Sequence, residues 1–188
     1  MIIDGAKNIE KLYNEFTENH KYLMDSLQVS FANDYKSQFS KIIVLSTASY
    51  FESKITELIK EQLNPSNCEI TGAFIYNKGL VRQYHSLFDW DAQNANKFFS
   101  LFGMDFKCHI EKLVANDPTL KSSIQSFLFI GSLRNKLVHQ NYVTFQVDTT
   151  TEEVFNKFKL ANENFVEKLP EIMSDYRNIK TPKKKVEV

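Results

Sequence analysis

Glycine and proline are scarce in this chain: five Gly and four Pro are spread over 188 residues. Few turns can then be marked by the residues that most often break regular structure, so helices should dominate. Net charge is also lacking, with 23 basic residues against 23 acidic ones. That balance excludes a histone-like or tail-driven nucleic-acid binder with a strong overall field, so any such contact would have to be local. Cysteine is limited to Cys68 and Cys108, which fit neither a disulfide framework nor a metal-ligand spacing. Both are read as unpaired thiols in a reducing compartment. No segment approaches about 18 uninterrupted apolar residues, and Met1 to Gly5 does not open a basic region followed by an apolar stretch. The expectation is a soluble, cytoplasmic protein without a membrane partner. Arginine is rare too: Arg82, Arg134 and Arg177 stand among many lysines. Each Arg is therefore a candidate for a position that a Lys could not fill.

What is present is apolar material at helical spacing, including sixteen Phe, enough for one core. From Ile9 the series Leu12, Tyr13, Phe16, His20, Leu23, Met24, Leu27, Phe31 keeps one stripe of a long amphipathic helix, with His20 read as a partly buried histidine. Asn33 and Asp34 offer a start for a second helix through Phe39, Ile43, Phe51 and Ile55, ending near Asn64 and Pro65. Its middle, Val44 to Tyr50, should be the most buried, and Glu52 follows as a carboxylate in need of a partner or of solvent. A shorter helix is expected around Ala73 to His85, then a turn through Phe88 to Asp91. Asp91 would cap a helix that points Phe98, Phe99 and Phe102 inward and ends at Gly103. A helix through Phe106 and Ile110 stops at Asn116. Asp117 and Pro118 give an N-cap followed by proline in the first turn, opening a helix that runs to His139. An extended stretch at Val143 to Val147 and a last helix from Thr151 or Glu152 complete the pattern. The fold class is all-α, an antiparallel bundle of about five to seven helices in one domain over 1–178, with a basic tail at 179–188 that includes Lys183 to Lys185.

Several chemistries lack their residues. Neither a G-x-x-x-x-G-K-[ST] nor a G-x-G-x-x-G pattern occurs, which excludes P-loop nucleotide hydrolysis. There is no H-E-x-x-H, no C-x-x-C and no G-x-S-x-G, and His20, His85, His109 and His139 are scattered. Neither a metal nor any other cofactor is expected. What remains is Arg134-Asn135-Lys136-Leu137-Val138-His139 at the end of a helix. Cutting RNA without a metal requires a base for the 2′-hydroxyl proton, an acid for the leaving 5′-oxygen, and positive charge on the phosphorane. Histidine supplies the first two near neutral pH, and the fixed fork of arginine supplies the third. One His cannot be acid and base at once, so a two-fold dimer that brings two His139 and two Arg134 into one cleft is attractive. Positions five apart on a helix are roughly 140° out of phase. Either Arg134 reaches round with its long side chain or the helix loosens before His139. A structural reading also fits these residues: His139 against the negative end of the helix dipole, and Arg134 paired with Glu52 or another acid.

The segment resembles the HEPN superfamily of ribonuclease domains, whose signature is Arg, usually a polar residue such as Asn, then His after four to six intervening residues. Arg134, Asn135 and His139 match it. Ala48-Ser49-Tyr50-Phe51-Glu52 and Phe98-Phe99-Ser100-Leu101-Phe102-Gly103 are similar to stretches of the RiboL-PSP HEPN subgroup and its MAE-type relatives, over roughly residues 35 to 145. The resemblance implies a helical bundle and a homodimeric, metal-independent endoribonuclease with a shared active-site cleft. It also implies a toxin or effector role in toxin–antitoxin or anti-phage defence, with an antitoxin or defence protein as partner. It places Arg134 and His139 in catalysis, Asn135 in support, and Glu52 in orienting Arg134; Lys136 and Tyr142, beside the motif in the chain, are further supporting candidates. One related toxin group carries a modifiable Tyr two residues after its His; here Tyr142 is three residues after His139. Some domains of this fold bind rather than cut, so a non-catalytic dimerisation or partner-binding module is the alternative.

Overall fold

The computed structural model describes residues 5–64, 66–142 and 144–180. Helices α1 (Gly5–Asp25) and α2 (Val29–Leu63) form an antiparallel hairpin. The chain reverses at Ser26 to Gln28 without Gly or Pro: Leu27 takes a positive φ of 57°, and Gln28 N–H closes onto Leu23 O at 2.9 Å. The expected start of α2 at Asn33 or Asp34 is thus four or five residues late, and both are exposed inside the helix. The apolar stripe misled because it runs through the turn. Leu27 and Phe31 keep its period yet are 87% and 67% exposed, so nothing packs there to hold the first helix straight.

Helix α2 is the axis of the core. Val44, Phe51 and Ile55 are buried from it, against Phe127 and Leu128 of α6 (Pro118–His139) and Val154 and Phe158 of α7 (Thr151–Ala161). Phe51 lies 5.1 Å from the Phe127 ring and 5.4 Å from that of Phe158, and Phe127 is 5.3 Å from Phe165. Each such side chain contributes about 1.5–3 kcal/mol by leaving water, and the tilted and edge-on ring geometry adds to it. Tyr50 fixes the far side through its hydroxyl, which donates to Asn162 Oδ1 at 2.9 Å.

The expected helix over Ala73 to His85 is instead three short pieces. Helix α3 (Glu69–Ile75) widens into a π-turn over Tyr76–Leu80, closed by Val81 N–H on Tyr76 O at 2.8 Å. Arg82 then takes a φ of 60° and a 3₁₀ turn covers Tyr84–Ser86. Helix α4 (Asn96–Ser100) starts later than an Asp91 cap would allow. Asn94 Oδ1 accepts the Asn96 N–H, whereas Asp91 Oδ1 accepts from Ser132 Oγ on α6 at 3.3 Å. Phe98 and Phe99 are buried and Phe102 half-buried, and Gly103 carries the chain at φ 102° into α5 (Met104–Asn116).

The start of α6 is as read from the sequence: one carboxylate oxygen of Asp117 accepts the N–H groups of Thr119 and Leu120, both at 2.9 Å. After it, Thr144 and Phe145 N–H turn back onto Asn141 O. The expected extended stretch is not a strand among the described residues; Val143 lies outside them. Thr150 Oγ1 caps α7 by accepting from Glu153 N–H. The expected last helix carries a π-turn at Asn162–Val166 and resumes as α8 (Leu169–Lys180). Lys180 Nζ donates to Asp105 Oδ2 at 2.7 Å, tying α8 to α5. The rest of the basic tail lies outside the described residues. Cys68 and Cys108 are exposed, free thiols. No described helix is long and apolar enough to cross a membrane.

Candidate active site at the end of α6

Helix α6 reaches the signature without interruption and stays helical through His139; the N–H of Gln140 still bonds to Lys136 O at 3.0 Å. The helix therefore does not loosen between Arg134 and His139. The two stay five positions apart on an intact helix, and it is the length of the arginine that must close the angle. Leu137 between them is buried and anchors the last turn. Arg134 and Asn135 are half-buried, and Arg134 Nη1 donates to Asn135 Oδ1 at 3.4 Å. Lys136 and His139 are exposed.

The segment before α4 docks on this helix at one glycine. A Cβ on Gly131, one turn before Arg134, would run into the ring of Trp90. Gly here permits close packing rather than a special backbone angle. Trp90 is held in turn by its Nε1–H, which donates to His85 O at 2.8 Å, and by Phe88 at 4.9 Å. This docking carries Tyr84 and His85 to the motif.

Glu52, from α2, places Oε2 at 3.8 Å from His85 Nε2, so the ion pair open to it is with a histidine rather than with Arg134. Its carboxylate nevertheless shares surroundings with the arginine. The buried Tyr84 hydroxyl feels both, its pKa raised well above the usual phenol value by burial and then by the Glu52 charge, with Arg134 acting in opposition. The His85 imidazole is held below its ordinary pKa, first by burial and then by the Arg134 cation; Glu52 opposes this and His139 adds to it. Three groups from two helices, Glu52 on α2 and Arg134 and His139 on α6, thus act on His85.

Tyr142 O accepts from Lys41 Nζ at 2.7 Å, and the same ammonium lies 4.9 Å over the Tyr142 ring. Lys41, 2% exposed on α2, thereby pins the chain just beyond His139. Glu52 also lines an open groove of about 710 Å³ between α2 and the Tyr76–Arg82 stretch, which neither Arg134 nor His139 lines. His20 packs 5.7 Å from Phe16, and His109 5.2 Å from Tyr176. Sequence reasoning passed over His85, Trp90, Gly131 and Lys41. One signal was available. An isolated Gly inside a helix costs about 1 kcal/mol relative to Ala, and so marks a close approach.

The RiboL-PSP-HEPN family model matches residues 6–175. The chain belongs to the RiboL-PSP-HEPN family. The match covers nearly all the described helices, from α1 into α8, and contains Glu52, His85, Arg134 and His139. Neither a curated protein nor a solved structure matches the chain. HEPN membership suggests a ribonuclease-type function in general terms and agrees with an all-α bundle.

Proposed function

We propose that this HEPN protein is a metal-independent endoribonuclease that cleaves RNA by attack of the 2′-hydroxyl on the adjacent phosphate. The observation that carries the reading is the Arg134–Asn135–His139 motif on an uninterrupted α6, with Arg134 half-buried and His139 exposed at the helix end, inside the region that the family model matches. The guanidinium is suited to the equatorial oxygens of the phosphorane, and it keeps its charge at every working pH. His139, exposed at the helix end, is free to exchange a proton with substrate. Asn135 accepts from Arg134 and so helps to hold its fork. We also propose a homodimer whose two-fold axis brings two α6 ends into one cleft, and cytosolic action as a toxin or effector in toxin–antitoxin or anti-phage defence. Family membership supports both.

The test is purified protein with a total RNA pool in the presence of a chelator, beside Arg134→Ala and His139→Ala. Fragments should end in 2′,3′-cyclic phosphate, and each variant should lose about 100-fold or more of the rate. The absence of cleavage by the unaltered dimer would favour a partner-binding module instead. A specific feature favours that second reading: Tyr22, Leu27 and Phe31 are 69%, 87% and 67% exposed at the tip of the α1–α2 hairpin.

A further inference from the structure

The outer side of α6 carries one stripe that leads to the signature: Ser122, Gln125, Phe129, Ser132, Lys136 and His139, in alternating steps of three and four. Seven residues turn a helix by roughly 700°, about 20° short of two turns, so Gln125, Ser132 and His139 lie in one line. The first four residues of the stripe line a groove of about 480 Å³, together with Trp90, Asp91 and Gln93 and with Lys157 of α7. We propose that this groove is a subsite for bases of single-stranded RNA leading away from the cut, and that it prefers bases with an exocyclic amine over uracil. The proposal rests on the ribonuclease reading for its choice of occupant. It leaves the shared two-chain cleft intact, since each copy adds its own groove.

The lining suits bases rather than a partner helix. A helix–helix seam at this spacing calls for apolar side chains, and Phe129 alone in the stripe supplies one. Aromatic and amide groups line the groove instead. Trp90 and Phe129 are half-buried, and Lys157 Nζ, in a 3.6 Å pair with Glu153, lies 4.7 Å over the Phe129 ring. Gln125 Nε2 donates to Gln93 Oε1 at 3.4 Å, and Ser132 Oγ donates to Asp91 Oδ1 at 3.3 Å. Both bonds are longer than usual, so a ligand replaces them at little cost. A glutamine side chain matches N6 and N7 of adenine at once, and a carboxylate accepts from the cytosine amine. Uracil offers Asp91 no amine. Lys121 lies one turn before Gln125 and Lys136 one turn after Ser132, both exposed, so phosphates on either side of the bound bases meet a cation.

Reach sets the length of RNA required. Along the helix Ser132 is about 10 Å from His139, and Gln125 about 21 Å. At about 3.4 Å per stacked nucleotide, the groove takes bases roughly three to six nucleotides from the cut. A dinucleotide ends short of it, whereas an octamer cut near one end fills it.

The test uses 2′-O-methyl octamers of adenine or uracil with a single ribonucleotide near the 5′ or the 3′ end, beside the matching dinucleotides. The proteins are the parent, Gln125→Ala and Gln93→Ala. With the adenine octamer each variant should raise KM about tenfold and keep kcat within about threefold. The dinucleotides should show no change, which a general structural defect would not spare. The parent should favour adenine over uracil octamers about tenfold, and Gln125→Ala should lose that preference. Trp90, the only tryptophan and part of the lining, gives a readout free of chemistry. A fully 2′-O-methyl adenine octamer, which cannot be cut, should alter its fluorescence, and the uracil octamer should need about tenfold more to do so. Cleavage with unchanged octamer KM in both variants and no Trp90 response overturns the groove, while the ribonuclease reading stands. A Trp90 response without cleavage, lost in Gln125→Ala, removes the ribonuclease reading and leaves the groove. Neither response nor cleavage removes both. Variants that pass from dimer to monomer in sedimentation would make the stripe a contact between copies and also overturn the proposal.

Discussion

Two regions meet at the candidate site, and they are built on opposite principles. Helix α6 is regular from its Asp117 cap to His139, held by its own ladder and by an apolar face. The stretch from Ser66 to Ala92 is short helix, π-turn, a left-handed Arg82 and a 3₁₀ turn, with many exposed side chains. It is ordered at its end by what it touches, chiefly Trp90 against Gly131 and Phe88 against Phe127. The difference shows that a local motif supplies one half of a site, and a docked irregular segment the other.

The largest effect is expected from removing the side chain shared by both regions. Phe127 is 1% exposed and touches Phe51, Phe88, Trp90 and Phe165. Phe127→Ala should cost about 3–5 kcal/mol in urea unfolding, through lost burial and the cavity left behind. Gly131→Ala separates the two regions more finely. Helix propensity alone would stabilise it by about 1 kcal/mol. The new Cβ meets the rigid Trp90 indole, and overpacking costs about 1–3 kcal/mol. The balance should be a net loss on the order of 1 kcal/mol, read by denaturation, with an altered fluorescence from Trp90, the only tryptophan. A gain in stability would mean that the segment is not docked there. A similar cost without any effect on the docked segment is expected at the other end of the helix. Asp117→Ala removes two capping bonds and should cost about 1 kcal/mol, leaving the RNA-cleavage profile unchanged.

Legibility followed the same division. The bounds of α5 and α6 were readable because Asn116, Asp117 and Pro118 act locally on the chain that follows. The α1–α2 turn was not, since Leu27 carries no turn chemistry and its period matches the stripe before it. Arg134, Asn135 and His139 were legible as a spaced motif on one helix. The partner of Glu52 was legible only as a need: a mid-helix carboxylate requires something, and His85 lies 33 positions away through an irregular path.

The sequence by itself determined the helical class, the scale of the core, the α6 cap and the Arg134–His139 spacing, because these depend on periodicity and on neighbours within a few residues. Tertiary structure decided which nitrogen of which histidine faces Glu52, that α6 stays intact to His139, and that Trp90 rests on Gly131. Those outcomes depend on packing between distant segments, where burial and charge reward positions that no local pattern encodes.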